Sequence, residues 1–276
     1  MKTEIQVQRE GPEGLSEKFA RWRKARKQQQ FVESVAPRTV TGTGSSRVLV
    51  AGIYLTDYPN QAAHLVEAYA ASRHHEVDQL WAALGKQPVP PALASMTRIW
   101  SQSNVPKFRM LNRLLALVDL AAYDYVVISD DDITLSRGFL DGYLSWVRKY
   151  RLSISQPART RHSYKSHKFV FQRPFLKARE TRFVEIGPVF CFDRAAIREF
   201  LPFDEESPMG FGYDYIWPVV ARERGLSMGI VDATPVDHSH RPQYKTYDLQ
   251  DSLNTMQGFL DRHSYLTKEE AFVVLR

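Results

Sequence analysis

The sequence predicts an α/β domain, and three observations carry that prediction. Two apolar runs, Val48 to Leu55 and Tyr125 to Ile128, are too short for free helices and are apolar at consecutive positions, as strands buried on both faces must be. The segments that follow them place apolar residues at helical spacing. Turn-forming Gly, Pro, Asn and Asp residues punctuate the strands, which gives the strand, turn and helix alternation of a sheet with parallel pairs.

The elements follow in order. Residues 1–46 read as a basic N-terminal helix and linker. Leu15, Phe19 and Trp22 share one helical face, while Lys18, Arg21, Arg23, Lys24, Arg26 and Lys27 make the rest basic, until Gln28-Gln29-Gln30 ends the pattern. Residues 15–27 therefore fit either peripheral contact with an anionic membrane or a solvated, partner-packed helix. Pro37 to Ser46 has linker composition, so the folded domain is expected over 47–276. Within it, 47–135 reads as the nucleotide-binding part, 136–245 as the acceptor side and 246–276 as a C-terminal helical tail.

Val48 to Leu55 is the first strand, closed by Thr56-Asp57-Tyr58-Pro59-Asn60, and His64, Leu65, Ala68, Tyr69 and Ala71 mark the next helix. Glu76 to Leu84 is a second strand ending at Gly85. Residues 86–106 form a long connection of the kind that carries function. Lys107 to Leu117 is a helix with cations in its first turn. Lys107 and Arg109 there oppose the helix dipole, which suits a bound anion as well as it suits plain surface exposure. After the strand at Tyr125 come a helix from Gly138 to Tyr150 and a strand from Leu152 that Pro157 should stop. Residues 159–182 are polar, basic and interleaved with aromatics, a mobile, anion-facing segment by composition. A strand over Val184 to Phe192, a helix capped by Asp193, a helix from Gly212 to Gly225 and an edge-like strand from Met228 to Val236 complete the domain.

Composition bounds the function. The chain has 276 residues, 43% hydrophobic and 25% charged, enough for one large core. Its start, Met1-Lys2-Thr3-Glu4, lacks a signal peptide's apolar segment, and no stretch reaches the roughly 18 apolar residues of a membrane span, so a cytoplasmic location is expected. The single cysteine, Cys191, excludes an internal disulfide and a cysteine-based zinc cluster. Between Phe190 and Phe192 it reads as a packing residue. A net charge of +6 favours anionic partners without choosing among nucleotide diphosphates, lipid headgroups and nucleic acid.

The chemistry centres on Asp130-Asp131-Asp132, three carboxylates at the end of the buried strand, where ligands sit in open α/β sheets. Alternation sends Asp130 and Asp132 to one side and Asp131 to the other. Such a cluster calls for a cation, and a divalent metal is the working assignment. Asp132, with Asp130, would supply oxygen ligands. A late imidazole would join them, His238 first and His240 second, because both follow a strand ending at the same sheet edge. Asp214, near the start of the helix after Gly212, is the candidate general base. Glu185, alone among apolar residues, is either structurally paired or part of the site. Lys107 and Arg109, with cations of the 159–182 segment, are candidates to stabilise charge on a departing phosphate.

The β/α order, the strand-ending Asp130-Asp131-Asp132, the Gly-Phe-Gly-Tyr-Asp segment at 210–214 and the Val-Asp-His-Ser-His-Arg-Pro segment at 236–242 together resemble the GT-A-fold nucleotide-sugar glycosyltransferases over residues 47–242. The resemblance implies a Rossmann-like, mixed central sheet flanked by helices. It also implies Mn²⁺ or Mg²⁺, and a nucleoside diphosphate sugar donor, most often UDP-linked. In that pattern Asp130 contacts ribose or the metal through water, and Asp132 binds the metal directly. The Tyr54 to Tyr58 loop holds the base with Asp57 as a contact, Asp214 matches the base of inverting members, and His238 matches the C-terminal metal ligand. Asn112 and Asp131 complete the donor-side candidates. Gly-Tyr-Asp stands here in place of the more usual Glu-Asp pair. The implied activity is sugar transfer to a saccharide or glycolipid hydroxyl in polysaccharide or glycoconjugate synthesis, with no nucleic acid partner. Two rivals stand beside this reading: a haloacid-dehalogenase-type phosphatase that uses the same residues, with Asp130 as nucleophile and Asp132 as acid/base, and a non-catalytic basic module, built on the N-terminal helix and residues 159–182 without need of the aspartates, that binds polyanions or membrane.

Overall fold

A computed structural model of the chain describes residues 15–34, 44–164, 167–241 and 249–276. The first fourteen residues, most of the expected 37–46 linker, Lys165 and Pro242 lie outside the described residues. α1 (Leu15–Ser34) runs through Gln28-Gln29-Gln30 instead of ending there, since glutamine is a good helix former, and Phe31 and Val32 beyond it are half-buried. β1 (Arg47–Leu55), α2 (Ala62–Ala70) and β2 (Glu76–Leu84) make the expected β-α-β unit, with β1 and β2 parallel. Within the connection 86–106 lies an element that sequence reasoning misses, β3 (Thr97–Ser101), parallel to β2. Its residues alternate between half-buried and exposed, an edge strand too short and polar to stand out. The chain continues through α3 (Lys107–Leu115), β4 (Tyr125–Ser129), α4 (Phe139–Tyr150), β5 (Ile154–Arg159), β6 (Arg179–Glu180), β7 (Val189–Asp193), α5 (Arg194–Phe200), α6 (Tyr213–Glu223), β8 (Met228–Val236), α7 (Leu249–Leu260) and α8 (Lys268–Ala271).

The sheet order is β3-β2-β1-β4-β7-β5-β8-β6. β7 runs antiparallel to both neighbours and β6 antiparallel to β8, while the remaining pairs are parallel, so the sheet is mixed. Three expectations change. Pro157 does not stop β5, because a register shift between Pro157 and Arg159 accommodates it against β8. β7 begins at Val189, and residues 184–188 form a loop beside the aspartates, where Pro188 O accepts the Asp130 N–H. β8 is flanked by β5 and the two-residue β6, so it is not an edge strand.

Consecutive apolar residues make sense once both faces are covered. Leu49, Ala51, Val126 and Ile128 pack on one face with Phe108, Leu111 and Leu114 of α3 and Trp217 of α6. Val48, Val50 and Val127 pack on the other with Leu65 and Tyr69 of α2 and Tyr143, Leu144 and Val147 of α4. Gly52 lets β1 approach Trp81, whose ring would lie 2.3 Å from a Cβ there.

The described part of the 159–182 segment is pinned, in contrast to the mobile reading. Arg179, fully buried, donates from Nε to Asp232 Oδ2 at 3.0 Å and from its two Nη atoms to Phe169 O and Phe171 O at 2.9 and 3.0 Å. Asp232 Oδ1 accepts the Arg173 N–H at 2.7 Å. Removing one partner strands the other charge in a dry interior, so Asp232→Ala is expected to destabilise the fold by about 3–5 kcal/mol, read from the shift of the urea unfolding midpoint.

Candidate active site

Beyond Ser129 the chain leaves the sheet, and the three aspartates take different but overlapping sets of partners at the mouth of a cleft of about 1080 Å³. Asp130 takes the Lys107 Nζ at 2.5 Å, and that ammonium also donates to Ile186 O at 3.4 Å. α3 thus delivers Lys107 to the cleft, as its place in the helix's first turn suggests. Asp131 has its own backbone partner but shares Arg241 with Asp132, so the separation expected from strand alternation does not hold past Ser129, where the strand ends. It accepts the Leu55 N–H at 2.8 Å and the Arg241 guanidinium at 2.6 and 3.3 Å, so it ties β1 to the segment after β8. Burial pushes the Asp131 carboxyl up to about 6, and Arg241 opposes that rise.

Asp132 meets His238, with Oδ1 3.1 Å from Nε2, and Arg241 lies 3.4 Å from its Oδ2. Burial raises the Asp132 carboxyl, yet the His238 hydrogen bond and charge, with the charges of Arg241 and Lys107, outweigh it and hold the group below the usual carboxylate range. β8 carries the chain back to the same edge as β4: Thr134 and Asp237 exchange backbone hydrogen bonds at 2.8 and 3.2 Å, which fixes His238 opposite Asp132. The donor set suits a divalent cation. A carboxylate oxygen and an imidazole nitrogen converge, and His238 Nδ1 is buried with no hydrogen-bond partner. Asp130, engaged by Lys107, does not close with them into a three-donor cluster. Among the described residues the set that does is Asp204, Glu206 and His263, which do not line the cleft, and Glu206 there is already 2.7 Å from Arg262.

Across the cleft, Gly212 adopts φ +100°, a left-handed conformation that only glycine takes cheaply, and this turn presents Asp214 in the first turn of α6. Asp214 is 7% exposed. Burial first, then the charge of Glu185, raise its carboxyl to about 8. Glu185 is buried with its Oε2 2.6 Å from Nη2 of the buried Arg159, and its N–H donates to Gln156 Oε1. Arg159 also donates to Tyr164 O and Gly187 O, which makes it the anchor of the loop between β6 and β7.

Other expected site residues lie elsewhere. Tyr54 is fully buried with its hydroxyl 2.8 Å from Thr97 Oγ1, a core position rather than a base contact. Arg109 pairs with Glu205 at 3.2 Å, and Asn112 makes a two-way hydrogen bond with the Phe203 backbone at 2.8 and 2.9 Å; neither lines the cleft. On a helix only one face turns to the cleft, and Lys107 occupies it. His240 Nδ1 sits 2.8 Å from Gln61 Nε2 and does not close with Asp132 and His238 into a three-donor cluster, because β8 ends at Val236 and the chain beyond it no longer keeps the strand alternation that would put His240 on the side of His238. Asp57 does line the cleft, but its carboxylate accepts the Lys86 and Gln87 N–H groups at 2.9 to 3.0 Å, which lower its pKa. Arg241 is a functional candidate that sequence reasoning passes over, and Arg159 enters that reasoning only as one unnamed cation of the 159–182 segment. Arg241 carries a signal, since it follows the histidine pair directly, whereas Arg159 merges into a basic run.

No protein-family model matches the sequence, and no curated protein sequence does. Solved structures match the fold. GalNAc-T7, crystallised with UDP, GalNAc and Mn²⁺, aligns at TM-score 0.53 and 8% identity over 78% of this chain and 48% of its own. S. aureus TarS residues 1–349 in complex with UDP-GlcNAc align at TM-score 0.51 and 9% identity over 81% of this chain and 68% of theirs. This chain therefore spans about half the length of the GalNAc-T7 chain. The α/β architecture with its mixed eight-stranded sheet flanked by helices is the GT-A glycosyltransferase fold. That fold does not favour the phosphatase or polyanion-module readings.

Proposed function

We propose that this protein is a metal-dependent glycosyltransferase that moves a sugar from a nucleoside diphosphate sugar, UDP-linked by preference, to an acceptor hydroxyl with inversion. The observation that carries the reading is the convergence of Asp132 with His238 at 3.1 Å in a cleft that also contains the buried carboxylate of Asp214. Asp132 and His238 would hold Mn²⁺ or Mg²⁺, whose chemistry is to neutralise charge on the departing diphosphate.

The chain's own residues supply the rest. Lys107 and Arg241 border the aspartates and offer cations to the same anionic donor. Asp130 and Asp57 line the same cleft and would face the donor. Asp214 accepts the proton of the acceptor hydroxyl as that oxygen bonds to the anomeric carbon and the bond to the diphosphate oxygen breaks. Direct displacement of this kind inverts the anomeric centre. Glu185, fixed by Arg159, sets the charge that Asp214 feels.

The base must be ionised to act, so kcat/KM is expected to rise with pH through a midpoint near 8, the value to which burial and Glu185 lift Asp214. Glu185→Gln removes the neighbouring charge and should lower that midpoint, with folding checked by circular dichroism. A midpoint that stays put in the variant would assign the pH dependence to another group. Transfer itself is tested by product analysis after incubation with UDP-sugars, Mn²⁺ and saccharide or glycolipid acceptors. Hydrolysis of phosphomonoesters instead of transfer would overturn the reading.

A further inference from the structure

The described residues of α1 carry a surface that the cleft chemistry does not use. Phe19 and Trp22 are 54% and 52% exposed, with rings stacked at 5.7 Å. The Arg23 guanidinium lies 5.0 Å over the Phe19 ring, and that of Arg26 lies 5.3 Å over the Trp22 ring. Positions 19, 22, 23 and 26 fall on one helix face, so aromatic edges and cations form a single stripe. Between Lys18 and Lys27 the sequence holds six Lys or Arg residues and no acid, equal to the net +6 of the whole chain, so the remainder is charge-balanced. Leaving two large aromatic rings in water beside this charge is unfavourable unless something covers them.

We infer that this face of α1 docks the protein on an anionic lipid surface. The charge selects an anionic partner, and phosphate headgroups meet it with bidentate guanidinium contacts. The aromatics select lipid over nucleic acid. Stacking on a base needs an open ring face, whereas these rings are stacked on each other and overlaid by their own arginines. Their edges stay available for the headgroup and acyl boundary, where Trp and Phe settle. The helix is tied to the body at its other end, where Val32 O accepts the Arg137 N–H at 3.3 Å, five residues after Asp132. Docking through α1 thereby brings the strand end that bears the aspartates to a membrane-borne acceptor or product. No helix among the described residues is long and apolar enough to cross the bilayer, so the contact is interfacial.

Co-sedimentation of the full chain with phosphatidylcholine vesicles, with and without phosphatidylglycerol, tests this. Binding is expected to the anionic vesicles and to fall at least about tenfold without the anionic lipid or at high salt. Phe19→Ala with Trp22→Ala, and separately Arg23→Gln with Arg26→Gln, should each weaken it about tenfold or more, while circular dichroism and UDP binding stay as in the wild type. Equal binding to neutral vesicles, unchanged binding in both double variants, or retention by heparin and RNA with no vesicle binding would each overturn the inference. The measurement does not depend on the transfer reaction, so its failure leaves the cleft assignment standing.

Discussion

Asp132→Ala is expected to abolish transfer and to weaken Mn²⁺ binding by more than about 100-fold, because it deletes one of the two side chains that converge at the end of β4. The change also releases His238 and Arg241, which lie 3.1 and 3.4 Å from the carboxylate. The buried His238 would keep no acidic partner, and a metal would find one imidazole where two donors had been. Electron paramagnetic resonance of free Mn²⁺ measures the loss directly, independent of turnover. Asp131→Asn should behave differently. It weakens the tie between Leu55, Arg241 and the segment after β8, so its main effect should fall on stability while metal affinity changes less. Equal losses of metal affinity in the two variants would mean that the triplet acts as an undifferentiated anionic cluster.

Asp214→Asn is expected to lower kcat by about 10²–10⁴-fold, the usual contribution of a positioned base, with donor binding nearly unchanged. The same substitution should stabilise the protein at alkaline pH. Burial lifts the folded-state pKa of Asp214 to about 8 from an ordinary value of 3.8. Below the ordinary value both states are protonated. Between the two values the folded state holds one proton more than the unfolded chain, so this group's contribution to stability falls as pH rises, and above about 8 the buried charge is a constant penalty. Asparagine carries no charge to bury. Its melting temperature should exceed that of the wild type at pH 9 and differ little near pH 4, a gain on the order of 1–3 kcal/mol in the alkaline range. An Asp214→Asn variant with full activity would remove this residue from the chemistry.

Much of the fold was legible because its signals are local. Val48 to Leu55 and Tyr125 to Ser129 are apolar on both faces, and the two core layers on either side of β1 and β4 are the reason. β3 escaped because an edge strand buries little, and the start of β7 was misplaced because Val184 and Ile186 extend the apolar run of the strand they precede. Residues 184–188 are buried or half-buried as a loop by Arg159 and Asp130, partners distant in sequence. The site divides along the same line. Asp132, His238 and Lys107 announced themselves by type and by position at strand or helix ends. Arg109, Asn112 and Tyr54 have equally suitable side chains, yet helix phase and core packing direct them to Glu205, Phe203 and Thr97. The Arg159–Glu185 pair joins residues 26 apart in sequence, and only the folded chain brings them within 2.6 Å.

The central claim is that the cleft at the end of β4 binds a nucleoside diphosphate through a divalent cation held by Asp132 and His238. Calorimetric titration of UDP into the protein tests it most directly, in Mn²⁺, after chelation with EDTA, and after Mn²⁺ is restored. Binding should appear with the metal, vanish on chelation and return when the ion is added back. UDP affinity that ignores the chelator, or no affinity for UDP, GDP or CDP in any condition, would contradict the account.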